Sequence, residues 1–142
     1  MHEVLQPSHF ALRYVVLVLL IVVIVASLMG WVGKKPYTGT NNKLSLFLLI
    51  ATHLQFVLGL LLYFVSPFVQ FNSSTMKDAT TRYWTVEHVS MMIISVALIT
   101  AARNTAKKMT VDESKHKRLF IFNTIALLII LAAIGMSGRG II

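Results

Sequence analysis

The chain has 142 residues, of which 56% are hydrophobic and only 13% are charged, with a mean hydropathy of +0.76. Soluble domains carry about 25% charged residues, so this composition excludes an ordinary water-soluble fold. The chain contains no cysteine, which excludes disulfides, thiolate metal sites, iron–sulfur clusters and a cysteine nucleophile. Histidine must therefore carry any metal chemistry.

Four apolar runs of membrane-spanning length predict an all-α integral membrane protein, folded as one up-down bundle of four transmembrane helices. The predicted helices cover about residues 9–31, 43–65, 83–102 and 117–136. Pro7 and Ser8 are expected to start the first helix, because proline is tolerated in a first turn and serine is a good cap. The third helix is expected to continue towards Lys108. These spans use most of the chain and leave no room for a separate extramembrane domain.

The basic residues are distributed unevenly between the two ends of the predicted bundle. Nine lysines and arginines lie in or beside the first and third connections, and four lie on the opposite side. By the positive-inside rule this asymmetry places both termini outside the cytoplasm. The same rule accounts for the net charge of +8, so we expect the lipid bilayer as a partner and no nucleic acid.

Three of the five histidines lie within predicted spans, where ionisable residues usually face the bundle interior. At a rise of about 1.5 Å per residue, His53 is near the bilayer centre, His88 about 7 Å outward and His9 about 16 Å outward. His2 and His116 lie near the ends of the bundle and are expected to be solvated. The depths of His9, His53 and His88 suggest a haem site.

A haem iron held by two imidazoles needs histidines on facing helices at similar depth. The depth mismatch is roughly 8 Å for His53 with His88 and roughly 10 Å for His9 with His88, which is equal within the uncertainty of helix ends. Because Cβ atoms tilt towards the helix N-terminus, His9 and His88 lean the same way on parallel helices. This narrowly favours His9 and His88 as metal ligands, and the pair of His53 and His88 stays open as the alternative.

Other polar and small residues support the same site. Arg13 and Arg82 are candidates for pairing with haem propionates, and Gly59 allows the close approach of a flat macrocycle or, in the simpler interpretation, of another helix. Glu87 is expected to pair with Arg82 or Arg13. Polar residues inside the spans, such as Gln55 and Asn123, are expected to form interhelical hydrogen bonds.

The chain resembles a family of short four-helix bacterial membrane proteins labelled cytochrome b-like. The segments that carry this resemblance are Ser8-His9 with Arg13, the run from His53-Leu54-Gln55 to Leu61-Leu62-Tyr63-Phe64-Val65-Ser66-Pro67, and Val86-Glu87-His88. The resemblance implies bound haem b and a location in the bacterial inner (cytoplasmic) membrane.

The chain is also similar, more faintly, to one half of the haem A synthase fold. The matching positions are His9, the run Gln55-Phe56-Val57-Leu58-Gly59, and His88. This similarity implies His9 and His88 as the ligand pair. Gln6 stands where that family has a functional glutamate, and the family's external cysteines are missing, so the similarity implies a shared haem-binding half and not haem A synthesis.

The leading hypothesis is a haem b-binding cytochrome in one-electron transfer, with quinone or other respiratory-complex subunits as partners and no catalytic residues of its own. A cofactor-free accessory subunit of a larger membrane complex is the alternative, in which the histidines serve helix packing. A third hypothesis is a small transporter or proton path that uses His53 at the midplane.

Overall fold

The structure of the chain is a computed structural model that describes residues 2–65, 82 and 86–136. Within these residues it contains four helices, α1 (His2–Val32), α2 (Gly39–Val65), α3 (His88–Lys107) and α4 (Asp112–Met136). Each is long and apolar enough to cross a membrane, judged by length and composition. For the described residues, the prediction of an all-α fold with four helices long and apolar enough to cross a membrane is confirmed.

Three predicted helix boundaries are wrong because each helix extends beyond its apolar part. Helix α1 begins at His2 and passes through Pro7, and Ser8 does not cap it, since its Oγ donates to Val4 O within the helix at 2.9 Å. Helix α2 begins at Gly39 instead of residue 43, and α4 begins at Asp112 instead of residue 117. Hydropathy marks the membrane-embedded segment, whereas polar turns continue the helix into water without changing the apolar pattern.

The connection between α1 and α2 is short and hydrogen-bonded at both ends. Lys34 adopts a left-handed conformation (φ 51°), and Lys35 N donates to Gly30 O at 2.9 Å, which together form a Schellman cap of α1. Thr38 Oγ1 accepts from Asn41 N at 3.3 Å, while Asn41 Oδ1 accepts from Thr38 N at 3.0 Å, a reciprocal cap of α2. These caps fix the direction in which α2 leaves α1.

The helices form a ring in which each contacts its two neighbours, with α2 and α3 sharing the least extensive contact. The end of α1 meets the start of α4 through Gly30 and His116, and the start of α2 meets the end of α3 through Asn42 and Arg103. Neighbouring helices are therefore antiparallel. We call the end with the 33–38 and 108–111 connections the loop end, and the opposite end, which carries the starts of α1 and α3, the His9 end.

The two ends are packed unequally. In α2 the buried residues are Ser45, Leu48, Ala51 and Thr52, and in α3 they are Ser95, Ile99, Ala102, Arg103 and Ala106. All of these lie in the loop-end part of their helices, and no residue of 53–65 or 86–94 is buried. The bundle is thus closely packed from its middle to the loop end, and α2 and α3 are loosely packed at the His9 end.

Large apolar side chains cover the outside of the bundle. Val18 and Leu128, for example, are each 60% exposed although they belong to the apolar middle of their helices. Such side chains are stable in contact with lipid tails, which are as apolar as leucine. The outer surface therefore fits contact with a lipid bilayer.

Candidate functional site

His9 lies at the loosely packed end and faces α2. Its imidazole is half-buried against Gly59, where an added Cβ would lie 3.3 Å from His9 Cε1. Gln55 Nε2 donates to the backbone oxygen of His9 at 2.9 Å, which confirms the interhelical hydrogen bond expected for Gln55. His9 Nδ1 is buried and has no hydrogen-bond partner among the described residues. The absence of a Cβ at Gly59 is what lets this ring reach α2.

His53 has a different environment. Its side chain is exposed on the outer surface of the bundle, and its Nε2 lies 2.9 Å from Thr100 Oγ1 of α3. A polar side chain exposed to hydrocarbon is unfavourable, so this interhelical hydrogen bond satisfies one of its two ring nitrogens. His53 thus contributes to the contact of α2 with α3.

His88 is the first residue of α3 and is half-buried. Helices α1 and α3 are diagonal in the ring, so His9 and His88 lie at the same end of the bundle on opposite sides of its axis. Side chains of diagonal helices can meet across the central axis of the bundle. Side chains of neighbouring helices meet where the two helices touch. The fold therefore places the two predicted ligands at one end, on helices that face each other across the interior.

The two arginines predicted near the propionates make different contacts. The Arg13 guanidinium stacks over the rings of Phe10, at 4.5 Å from Cζ to the ring centre, and Tyr14, at 5.2 Å. Arg82 forms an ion pair with Glu87, with Nε and Oε1 2.6 Å apart. This confirms the expected pairing of Glu87 with Arg82. The carboxylate of Glu87 compensates the charge of Arg82 in this arrangement.

Two polar residues at the loop end were misjudged from the sequence. His116 was expected to be solvated, but only 1% of it is exposed, and its Nε2 lies 3.1 Å from Lys35 O. Arg103 lies within α3, which continues towards Lys108 as expected, but its burial, with only 8% exposed, was not predicted. The burial of both residues follows from the extension of α3 and α4 beyond their apolar segments, because the polar turns then pack against neighbouring helices. For His116 the available signal was Gly30, the small residue against which its ring packs.

Asn123 is also buried, with 1% exposed, but its Oδ1 has no hydrogen-bond partner among the described residues. The interhelical hydrogen bond expected for it is therefore not made through this oxygen. Within the described part of the chain, no group of three or more histidine and acidic side chains is arranged to hold a metal ion. A haem held by two histidines does not require such a group.

No family model matches the chain, and comparisons with curated proteins and with solved structures also found no match. The function must therefore be argued from the site itself.

Replacing His53 with alanine tests whether this residue is a ligand or a packing residue. If the chain binds haem as predicted from its sequence, we expect His53→Ala to keep the haem spectrum. We also expect it to lose about 0.6 kcal/mol of stability, the typical value of one interhelical hydrogen bond in a membrane. The reduced α-band and a denaturant titration in detergent measure the two effects, with Thr100→Ala as the matched control for the same bond. A well-folded His53→Ala protein without haem would replace our ligand pair with His53 and His88.

Proposed function

We propose that the chain is a haem b-binding membrane cytochrome with His9 and His88 as axial ligands at the His9 end of the bundle. The observation that carries this proposal is the contrast among the histidines. His53 and His116 each bond a ring nitrogen to a neighbouring element. Among the described residues the ring of His9 makes no such bond, although its Nδ1 is buried. An imidazole that makes no hydrogen bond has a ring nitrogen available for a metal, which supports His9 as a ligand.

The loose packing of α2 and α3 at the same end supports the proposal, because a macrocycle needs space between helices. Gly59 makes room for the His9 ring itself, since a larger side chain there would meet it. Haem supplies reversible one-electron redox chemistry, and the protein holds it and tunes its potential. Arg13 lies one turn from His9 and favours the more negative, reduced haem. Electron transfer to or from quinone, alone or within a respiratory complex, is the function we assign.

A visible spectrum of the purified protein tests the proposal. After expression with sufficient haem, we expect a Soret band and an α-band that sharpens on reduction with dithionite, with about one haem per chain by the pyridine haemochrome assay. A folded protein that stays colourless, and that does not bind added haemin, would overturn the cytochrome proposal.

The second candidate function is a cofactor-free accessory subunit of a larger membrane complex. The specific observation in its favour is that His53 and His116 both serve helix packing through hydrogen bonds. Purification in a mild detergent separates the two candidates, since an accessory subunit is colourless and co-purifies with stoichiometric partner chains.

The orientation belongs to the same proposal: both termini lie outside the cytoplasm in a bacterial inner membrane. We therefore expect a cysteine at Thr110, in the connection between α3 and α4, to be protected from an impermeant thiol reagent in intact cells. A cysteine at Ser74, which lies outside the described residues, should be labelled. The chain has no cysteine of its own to interfere. The opposite labelling pattern would invert the orientation and move the haem to the cytoplasmic side.

A further inference from the structure

Arg103 is a buried cation at the loop end of the bundle. Only 8% of the residue is exposed, and its Nη2 donates to Asn42 Oδ1 of α2 at 3.2 Å. Its Nε is buried without any hydrogen-bond partner among the described residues. A guanidinium has five N–H donors and stays charged at any physiological pH, so one neutral amide oxygen leaves it largely unsatisfied.

The acidic residues near this end do not compensate the charge. Asp112 and Glu113 lie in the first turn of α4, and Asp112 Oδ2 accepts a hydrogen bond from the backbone of Tyr37. In the described part of the chain, Arg103 takes part in no ion pair. A buried charge is stable only when it is paired and hydrogen-bonded, so an anion from outside the chain is expected here.

Arg103 contacts Asn42 near the N-terminus of α2, which is the positive end of the helix dipole. Asn42 lies in the first turn of α2, which begins at Gly39. The N–H groups of Asn41 and Asn42 already donate to Thr38, but the positive end of the helix dipole still attracts anions. Lys43 follows with an exposed side chain. The contact of α2 with α3 is also the least extensive in the ring, so Arg103 lies beside the smallest of the four helix contacts. The buried guanidinium and the helix end therefore point to the same anion.

We propose that Arg103 and the first turn of α2 bind the phosphate of an anionic phospholipid headgroup. Arg103 lies four residues, about 6 Å, before the end of α3 at Lys107 and directly after the apolar part of this helix, so it is near the edge of a membrane that α3 crosses. The planar guanidinium pairs with a phosphate through two parallel hydrogen bonds. The acyl chains lie along the apolar surfaces of α2 and α3. This site is independent of the proposed haem site at the opposite end.

The test compares headgroups on the full-length protein after removal of lipid in detergent. Phosphatidylglycerol and phosphatidylcholine with the same acyl chains are added, and affinity is measured by native mass spectrometry together with the midpoint of thermal unfolding. We expect phosphatidylglycerol to bind more tightly and to raise the midpoint more. For Arg103→Gln we expect about tenfold or weaker affinity for phosphatidylglycerol, the size expected for losing charged hydrogen bonds.

Arg118→Gln is the matched control, because it removes the same charge from the same end. Arg118 lies over the Phe122 ring and near Thr105, away from the Asn42 contact. Removing its charge should therefore change the affinity for phosphatidylglycerol less than twofold. Arg103→Lys keeps the charge without the planar pair of donors, and we expect intermediate affinity. If Arg103→Gln does not fold, the headgroup preference of the wild-type protein and the Arg103→Lys value decide the question.

Inorganic phosphate distinguishes the lipid from a free anion. We expect millimolar phosphate to leave the midpoint unchanged at constant ionic strength, because it lacks the acyl chains that hold the headgroup beside Arg103. A rise equal to that with phosphatidylglycerol would overturn the lipid assignment. Equal affinity of the wild-type protein for both lipids, or equal losses in Arg103→Gln and Arg118→Gln, would overturn the whole proposal.

Discussion

Replacing either His9 or His88 with alanine is expected to abolish the low-spin haem spectrum. Each variant removes one axial ligand, so the iron becomes five-coordinate and high-spin or the haem is lost during purification. The effect should far exceed the loss of an interhelical hydrogen bond of about 0.6 kcal/mol. Optical and electron paramagnetic resonance spectra at equal protein concentration measure the spin state and the haem content.

Rescue and folding controls make this experiment decisive. Added imidazole should partly restore the low-spin spectrum of His9→Ala and His88→Ala, because it occupies the vacated position. Circular dichroism should show unchanged helix content, since His88 begins its helix and His9 lies near the start of its own. If both variants keep the wild-type spectrum, neither histidine is a ligand, and the accessory-subunit function becomes the better account of the chain.

Replacing Gly30 with alanine should destabilise the bundle by about 1 to 3 kcal/mol, the usual cost of overfilling a packed site. A Cβ at this position would lie 2.6 Å from His116 Nε2, and closer still to Cε1, so the imidazole would have to move. That movement strains the contact between Nε2 and Lys35 O. Reversible unfolding in mixed detergent micelles measures the change in the free energy of unfolding.

The double variant with His116→Ala isolates the cause. Without the imidazole, Gly30→Ala should be neutral or stabilising by about 0.5 to 1 kcal/mol, because alanine is the better helix former. Gly135→Ala is the matched control, since nothing lies within 4 Å of a Cβ there, and it should be neutral as well. A Gly30→Ala penalty that persists in the His116→Ala background would show that the ring is not the obstacle.

The number and approximate positions of the helices could be predicted because membrane-spanning segments must be apolar and long. Residues on the outer surface, such as Val18 and Leu128, are apolar for the same reason. The environments of the polar residues could not be predicted in this way. Nothing in the hydropathy of residues 112–118 indicates that α4 starts five residues early, and that early start is what brings His116 against Gly30. Apolar length determines how many helices cross, whereas the polar turns at their ends determine how they contact each other.

The candidate site was predictable only in part, for a related reason. Spacing along a helix gives the depth of His9, His53 and His88, but it does not give the face on which each ring lies. The outward position of His53 and the inward position of His9 depend on how α1, α2 and α3 rotate about their axes when they pack. Gly59 was a useful signal because a missing side chain on one helix implies a protruding one on another, and that side chain is His9.

The unequal packing of the two ends also bears on the order in which the protein is assembled. The buried residues of α2 and α3 lie from the middle of the bundle to the loop end, so these two helices are held mainly there. Membrane insertion and helix association can therefore be complete before the proposed haem arrives between His9 of α1 and His88 of α3. A late ligand then enters a scaffold that already exists, and only the loosely packed turns must move apart to admit it. Synthesis of the chain and delivery of its ligand need not be synchronised in the cell.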